Sequence, residues 1–162
     1  MTQPYSMVTT NNNPFNIEHA KMNQAIISGL GATRTLLEEE SGSLILLDRA
    51  AGIVLTLPAP KIGMSFDFVV SVSVTSNNYK IITDAGTTFL VGGILSNDTD
   101  TSGAAVFFAA NGTTHIALTS NGSTTGGLIG SRFRATCISL TQWLIEGINN
   151  GSGTVATPMA TS

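Results

Sequence analysis

Twelve consecutive residues, Met64 to Thr75, alternate without a break. Met64, Phe66, Phe68, Val70, Val72 and Val74 point one way, and Ser65, Asp67, Val69, Ser71, Ser73 and Thr75 point the other. A period of two is that of a strand with one buried face, because successive side chains of a strand leave opposite sides of the sheet. A helix could not bury these residues together. The rest of the chain repeats the pattern: short apolar runs separated by Gly, Asn, Ser, Thr and Pro. An all-β fold is therefore expected, an antiparallel β-sandwich or a jelly-roll-like barrel.

The runs mark out the strands. Thr33 to Leu37 and Leu44 to Leu47 flank a polar turn at Glu38-Glu39-Glu40-Ser41-Gly42, and Ile53 to Leu57 ends at Pro58-Ala59-Pro60, where proline stops pairing. Met64 to Thr75 is expected to turn at Ser76-Asn77-Asn78 and form a hairpin with Tyr79 to Thr83. Further strands are expected over Thr88 to Val91, Ala104 to Ala109, Thr114 to Thr119, Arg132 to Leu140 and Trp143 to Ile148. Asn111-Gly112 and Asn121-Gly122 are turn dipeptides, since both residues tolerate positive φ.

Three regions follow. Residues 1–32 form an N-terminal arm, rich in Asn and Pro as far as Asn13 and Pro14, with one short helix expected from Asn16 through Ile26 and stopped at Gly29. Residues 33–148 form the sandwich, and residues 149–162, rich in Gly, Thr and Ser, form a tail. The length of 162 residues suits one domain with arms.

Charged residues make up 10% of the chain, against roughly 25% in an average soluble domain. Such a surface repels other protein weakly and favours assembly. The net charge of -3 and the scattered Lys and Arg exclude a phosphate-tracking stripe, so no nucleic-acid partner is expected. Arg132 and Arg134, alternating on a strand, read as a solvated or interface-facing pair. The start of the chain lacks the basic and apolar segments of a secretory signal, and no run approaches about 18 apolar residues, so no membrane partner and cytoplasmic synthesis are expected.

Reactive side chains do not gather. Cys137 is alone, which removes any disulfide framework or four-cysteine metal site, and it reads as a small buried apolar residue. His19 and His115 fall in different elements without Cys or carboxylates at ligand spacing. The consecutive acids Glu38, Glu39 and Glu40 cannot converge on one substrate from a turn. Asp98 and Asp100 have the spacing of part of a cation loop but lack its glycine and distal glutamate. Gly126-Gly127-Leu128-Ile129-Gly130 has no following Lys-Ser/Thr and no switch from strand to helix, so it reads as turns rather than a phosphate loop. No catalytic residue, metal ligand or cofactor is expected, and the chain reads as a non-enzyme.

Three segments carry a resemblance: Ser41-Gly42-Ser43-Leu44-Ile45-Leu46-Leu47-Asp48, then Ile53-Val54-Leu55-Thr56-Leu57-Pro58, then Gly63-Met64-Ser65-Phe66-Asp67-Phe68. A strand ending in Leu-Pro, a short loop, a glycine and an aromatic alternating strand resemble the small β-rich virion proteins of tailed bacteriophages, some of which are capsid decoration or cement proteins. Gln142-Trp143-Leu144-Ile145-Glu146-Gly147 resembles their terminal strand, while the first thirty or so residues depart from that pattern. The resemblance implies a homotrimer on the outer capsid surface of the virion, bound to the major capsid protein and holding the head against the pressure of packaged DNA. It supplies no catalytic or ligand residue. In that setting Pro14, Phe15 and Ile17 are candidate anchors of the arm, and Val69, on the nominally polar face of its strand, marks a subunit seam. A tail-fibre or receptor-binding module for host glycans is the alternative; it calls for exposed aromatics, whereas Trp143 and Tyr79 both read as core. A glycan-degrading enzyme would need facing carboxylates.

Overall fold

The computed structural model describes residues 24–100 and 103–162. Among the described residues twelve strands make two sheets: β1 (Ile26–Ile27), β2 (Thr33–Thr35), β3 (Leu44–Leu47), β4 (Ile53–Thr56), β5 (Ser65–Val70), β6 (Tyr79–Ile82), β7 (Phe89–Asp98), β8 (Ala105–Asn111), β9 (Ala117–Ser120), β10 (Arg132–Ser139), β11 (Gln142–Gly151) and β12 (Met159–Ala160). The larger sheet has seven strands in the order β1-β3-β5-β10-β11-β7-β8, and the smaller has five, β12-β9-β6-β4-β2. The all-β sandwich is as expected.

Pairing within the sheets is mixed rather than purely antiparallel. From β1 to β6 the chain alternates between the sheets at every strand, so each strand lies beside the one two positions earlier and runs the same way. The parallel neighbours are β1 with β3, β3 with β5, β2 with β4 and β4 with β6. This half of the molecule is a flattened coil in which each loop is a crossover, the connection that parallel strands need. The second half adds antiparallel pairs, β5 with β10, β10 with β11 and β7 with β8, around a long parallel pair of β11 with β7.

The coil corrects the expected hairpin. β5 stops at Val70, and β6 belongs to the opposite sheet. Ser71 and Val72 both donate backbone N–H groups to Leu47 O, which pulls the chain off the ladder. The Tyr79 hydroxyl, from the other sheet, then donates to Val72 O at 2.7 Å and lies 3.2 Å from Leu47 O. One buried phenol thus ties the two sheets together where the chain crosses. Met64, Phe66, Phe68, Val70 and Val74 are buried as the alternation requires, while Val72 is 39% exposed.

One core lies between the sheets. Phe66, Phe68, Trp143, Ile145, Ile45 and Leu47 from the larger sheet meet Ile53, Leu55, Tyr79, Ile81 and Leu118 from the smaller. The rings of Phe66 and Trp143 lie 6.1 Å apart and tilted by 40°, within the range in which aromatic pairs add to simple burial. Cys137 is buried, and desolvation raises its thiol pKa.

The ends of the chain also depart from expectation. The expected helix lies largely outside the described residues, and its last position, Ile26, belongs to β1 instead. Residues 149–162 are not a loose tail: β11 runs on to Gly151, and β12 pairs antiparallel with β9. Asn149 is fully buried; its Oδ1 accepts from Gly127 N at 3.0 Å and its Nδ2 donates to Thr125 O at 2.7 Å. That amide fastens the long loop between β9 and β10. In the same loop Gly122 has φ +83°, and a Cβ there would stand 2.0 Å from Val74 O, so only glycine fits.

Candidate functional site

The outer face of the seven-stranded sheet carries the most unusual surface among the described residues. Strand register sets two rows across it. In one row Leu44, Asp67, Arg134 and Glu146 stand side by side on β3, β5, β10 and β11. Arg134 Nε donates to Asp67 Oδ1 at 2.6 Å and Nη2 to Oδ2 at 2.9 Å, a two-pronged pair. The hydrogen bonds from Arg134 hold the Asp67 carboxyl below its ordinary pKa against a smaller opposing effect of burial, with help from Gln24, and the same pair raises that of Arg134.

The next row is Leu46, Val69, Arg132, Ile148, Leu95 and Phe107, on six neighbouring strands. Five of its six members are apolar. Arg132, at its centre, makes no ion pair among the described residues. Where this row meets the charged one on β3, β5, β10 and β11, the surface dips into a groove of about 520 Å³, lined by Val69, Arg132, Ile148 and Leu44 beside the Asp67–Arg134 pair and Glu146. Gln24 closes one end, its Nε2 donating to Asp67 Oδ2 at 2.7 Å.

At the far end of the row lies β8, the edge of the sheet. It overhangs the core: Val106 points to the inner side yet is 38% exposed, and Phe107 on the outer side is 62% exposed. The Phe107 ring rests on Gly93 of β7, where an added Cβ would meet the ring at 2.4 Å. The strand carries no charge along its seven residues. Long uncharged edges are open templates for further pairing, and most proteins blunt them.

The other candidate residues are held in local structure. His115 precedes β9 rather than lying in a strand, and its Nδ1 accepts from Asn111 N at 3.1 Å. Glu38 to Glu40 form a single 3-10 turn; Glu40 pairs with Arg34 and accepts from Leu37 N, and Glu38 pairs with Lys61. Asp98 accepts from Asp100 N at 3.0 Å, and Asp100 from Gly153 N at 2.7 Å. Among the described residues no group of three or more His, Cys, Asp or Glu is placed to share a metal ion. Trp143 and Tyr79 are buried, as their strands suggested.

Of the sequence-predicted interface residues, Val69 lies in the groove, and Pro14, Phe15 and Ile17 lie outside the described residues. Gln24 enters through its hydrogen bond to Asp67 and Phe107 through strand register; Arg132 was already read as a solvated or interface-facing residue, and the hint for Phe107 was Val106-Phe107-Phe108, an apolar run that does not alternate. The chain matches no protein-family model, no curated protein and no solved structure at a significant level.

Proposed function

We propose that this chain is a capsid decoration protein of a tailed bacteriophage, which binds the major capsid protein lattice on the outer surface of the head and holds it against the pressure of packaged DNA. The observation that carries this reading is the β8 edge, seven uncharged residues with Phe107 largely exposed beside Leu95 and Val106. A surface of that kind is unfavourable in water and lowers its free energy when buried against other protein. The motifs of Ser41 to Phe68 that resemble virion proteins support the same reading.

The mechanism is adhesive: no bond is made or broken, and the rigid sandwich presents apolar contacts that are repeated by symmetry. About 1,600 Å² of buried surface suffices for a stable contact, and a homotrimer would bind by several arms at once, multiplying affinity without new chemistry. The glycan-binding alternative has less support, since Trp143 and Tyr79, the Trp and Tyr among the described residues, are in the core.

Imaging heads from phage with and without the gene tests the proposal. Density for the chain at regular positions on the shell, and heads that rupture at lower temperature without it, are the expected results. Density confined to the tail would replace this reading with the fibre module, and equal rupture temperatures would remove the cementing role.

A further inference from the structure

The β8 edge offers backbone as well as apolar side chains. Asp98 N donates to Ala104 O and Gly112 N to Leu90 O, so the even-numbered residues from Ala104 to Gly112 turn their backbone groups toward β7. Antiparallel ladders alternate, and the odd-numbered residues Ala105, Phe107, Ala109 and Asn111 therefore turn theirs away. Asn111 N donates to His115 Nδ1 at 3.1 Å, which closes one end of the edge. The N–H and C=O groups of Ala105, Phe107 and Ala109 have no hydrogen-bond partner among the described residues. The Phe107 ring lies back over Gly93 of β7, which leaves that backbone uncovered.

Two properties fit this edge to a second copy of itself. Residues 105–109 read Ala-Val-Phe-Phe-Ala, nearly the same in both directions, and the open residues are spaced evenly about Phe107. A twofold axis through Phe107 sets Phe107 opposite its own copy, Ala105 opposite Ala109 and Val106 opposite Phe108. Every open residue then finds a partner at once, each such pair exchanging two N–H···O bonds. The second property is neutrality: β8 carries no charge, so antiparallel self-pairing sets no like charges of the strand against each other, and that repulsion is what most edges use to prevent it.

We propose that two copies of this chain pair antiparallel through β8 about an axis at Phe107, joining their seven-stranded sheets into one. The contact is isologous, the same patch serving on both sides. It goes beyond the capsid reading and does not depend on it: pairing consumes the backbone edge and leaves Leu95 and Phe107 of both copies side by side on the outer face. Because it uses one edge alone, it can link trimers as well as single chains.

Cysteine register tests the pairing in the full-length chain. Ala105→Cys and Ala109→Cys variants, mixed under a mild oxidant, should form covalent dimers at least tenfold faster than either variant alone, because the axis sets Ala105 beside Ala109 at a Cα distance of about 5.5 Å and keeps like positions apart. Equal rates in the mixture and in Ala105→Cys alone would overturn the proposal. Sedimentation equilibrium of the unsubstituted chain should show a dimer. Ala109→Pro removes an outward N–H without breaking the β7 ladder, and should weaken that dimer at least tenfold while Trp143 fluorescence stays native. A chain monomeric at every concentration would overturn the pairing and leave the edge to a strand of another protein; an Ala109→Pro dimer of unchanged affinity would also overturn it. Density on imaged heads with a monomer in solution would defeat this proposal alone, and a dimer in solution without density on heads would defeat the capsid reading alone.

Discussion

The seven-stranded sheet ends in two unlike strands. β1 is two residues long and is followed across the sheet by charged and hydrogen-bonding side chains, Gln24, Asp67 and Arg134. β8 is seven residues long, uncharged, and exposes a phenylalanine. Both lie on the same sheet over the same core, so burial does not explain the contrast. Short strands and charges are the usual devices against unwanted edge pairing. One edge has them and the other has neither, and it is this difference that the proposed role of β8 rests on.

The contrast can be tested, from the largest effect downward. Trp143 stands on β11, near the middle of the sheet, so Trp143→Ala should weaken both edges together and lower unfolding free energy by about 3–5 kcal/mol, read by denaturant titration. A loss of structure at one edge alone would show that the sheet does not unfold as a unit. At the β8 edge, Phe107→Lys should leave stability within about 0.5 kcal/mol but weaken association with the shell, or between copies, by about 2 kcal/mol or more, as for a central aromatic anchor. Binding isotherms or sedimentation check it, and unchanged association would remove the distinction between the edges.

Gly122 lies away from both edges. Gly122→Ala must hold a strained backbone against Val74 O and should cost about 1–3 kcal/mol, visible as a lower melting temperature, with association through β8 unchanged. The smallest effect belongs to the β1 side. Asp67→Asn removes an exposed ion pair and should cost less than about 1 kcal/mol at neutral pH. Because the folded Asp67 ionises below the ordinary value of about 3.9, its contribution is complete above that pH and fades as pH falls through the lower folded value. The native protein and Asp67→Asn should therefore converge in stability in acid; a gap that persists there would assign the stabilisation to shape rather than charge.

Strand existence was legible because alternation is local: the buried set Met64, Phe66, Phe68 and Val70 follows from spacing alone, as does the burial of Trp143, Tyr79 and Cys137. Strand partners were not. Ser76-Asn77-Asn78 has the composition of a hairpin turn, yet it ends a crossover between sheets, because Tyr79 finds its hydrogen-bond acceptors across the sandwich. Asn149 had the composition of a tail and proved to be a buried clasp, since an amide is satisfied by loop backbone that only folding brings near. The groove was legible at one point, Val69, where an apolar residue broke the polar face of its strand.

What the sequence by itself determined is the class of fold and which side of each long strand faces the core, since a two-residue period and the cost of leaving apolar groups in water act on neighbours in the chain. Only the tertiary structure decided that Val69, Arg132, Ile148, Leu95 and Phe107 form one row and that β8 stands at the open edge. Register is a relation between distant segments, set by how the whole core closes, and no local pattern encodes it.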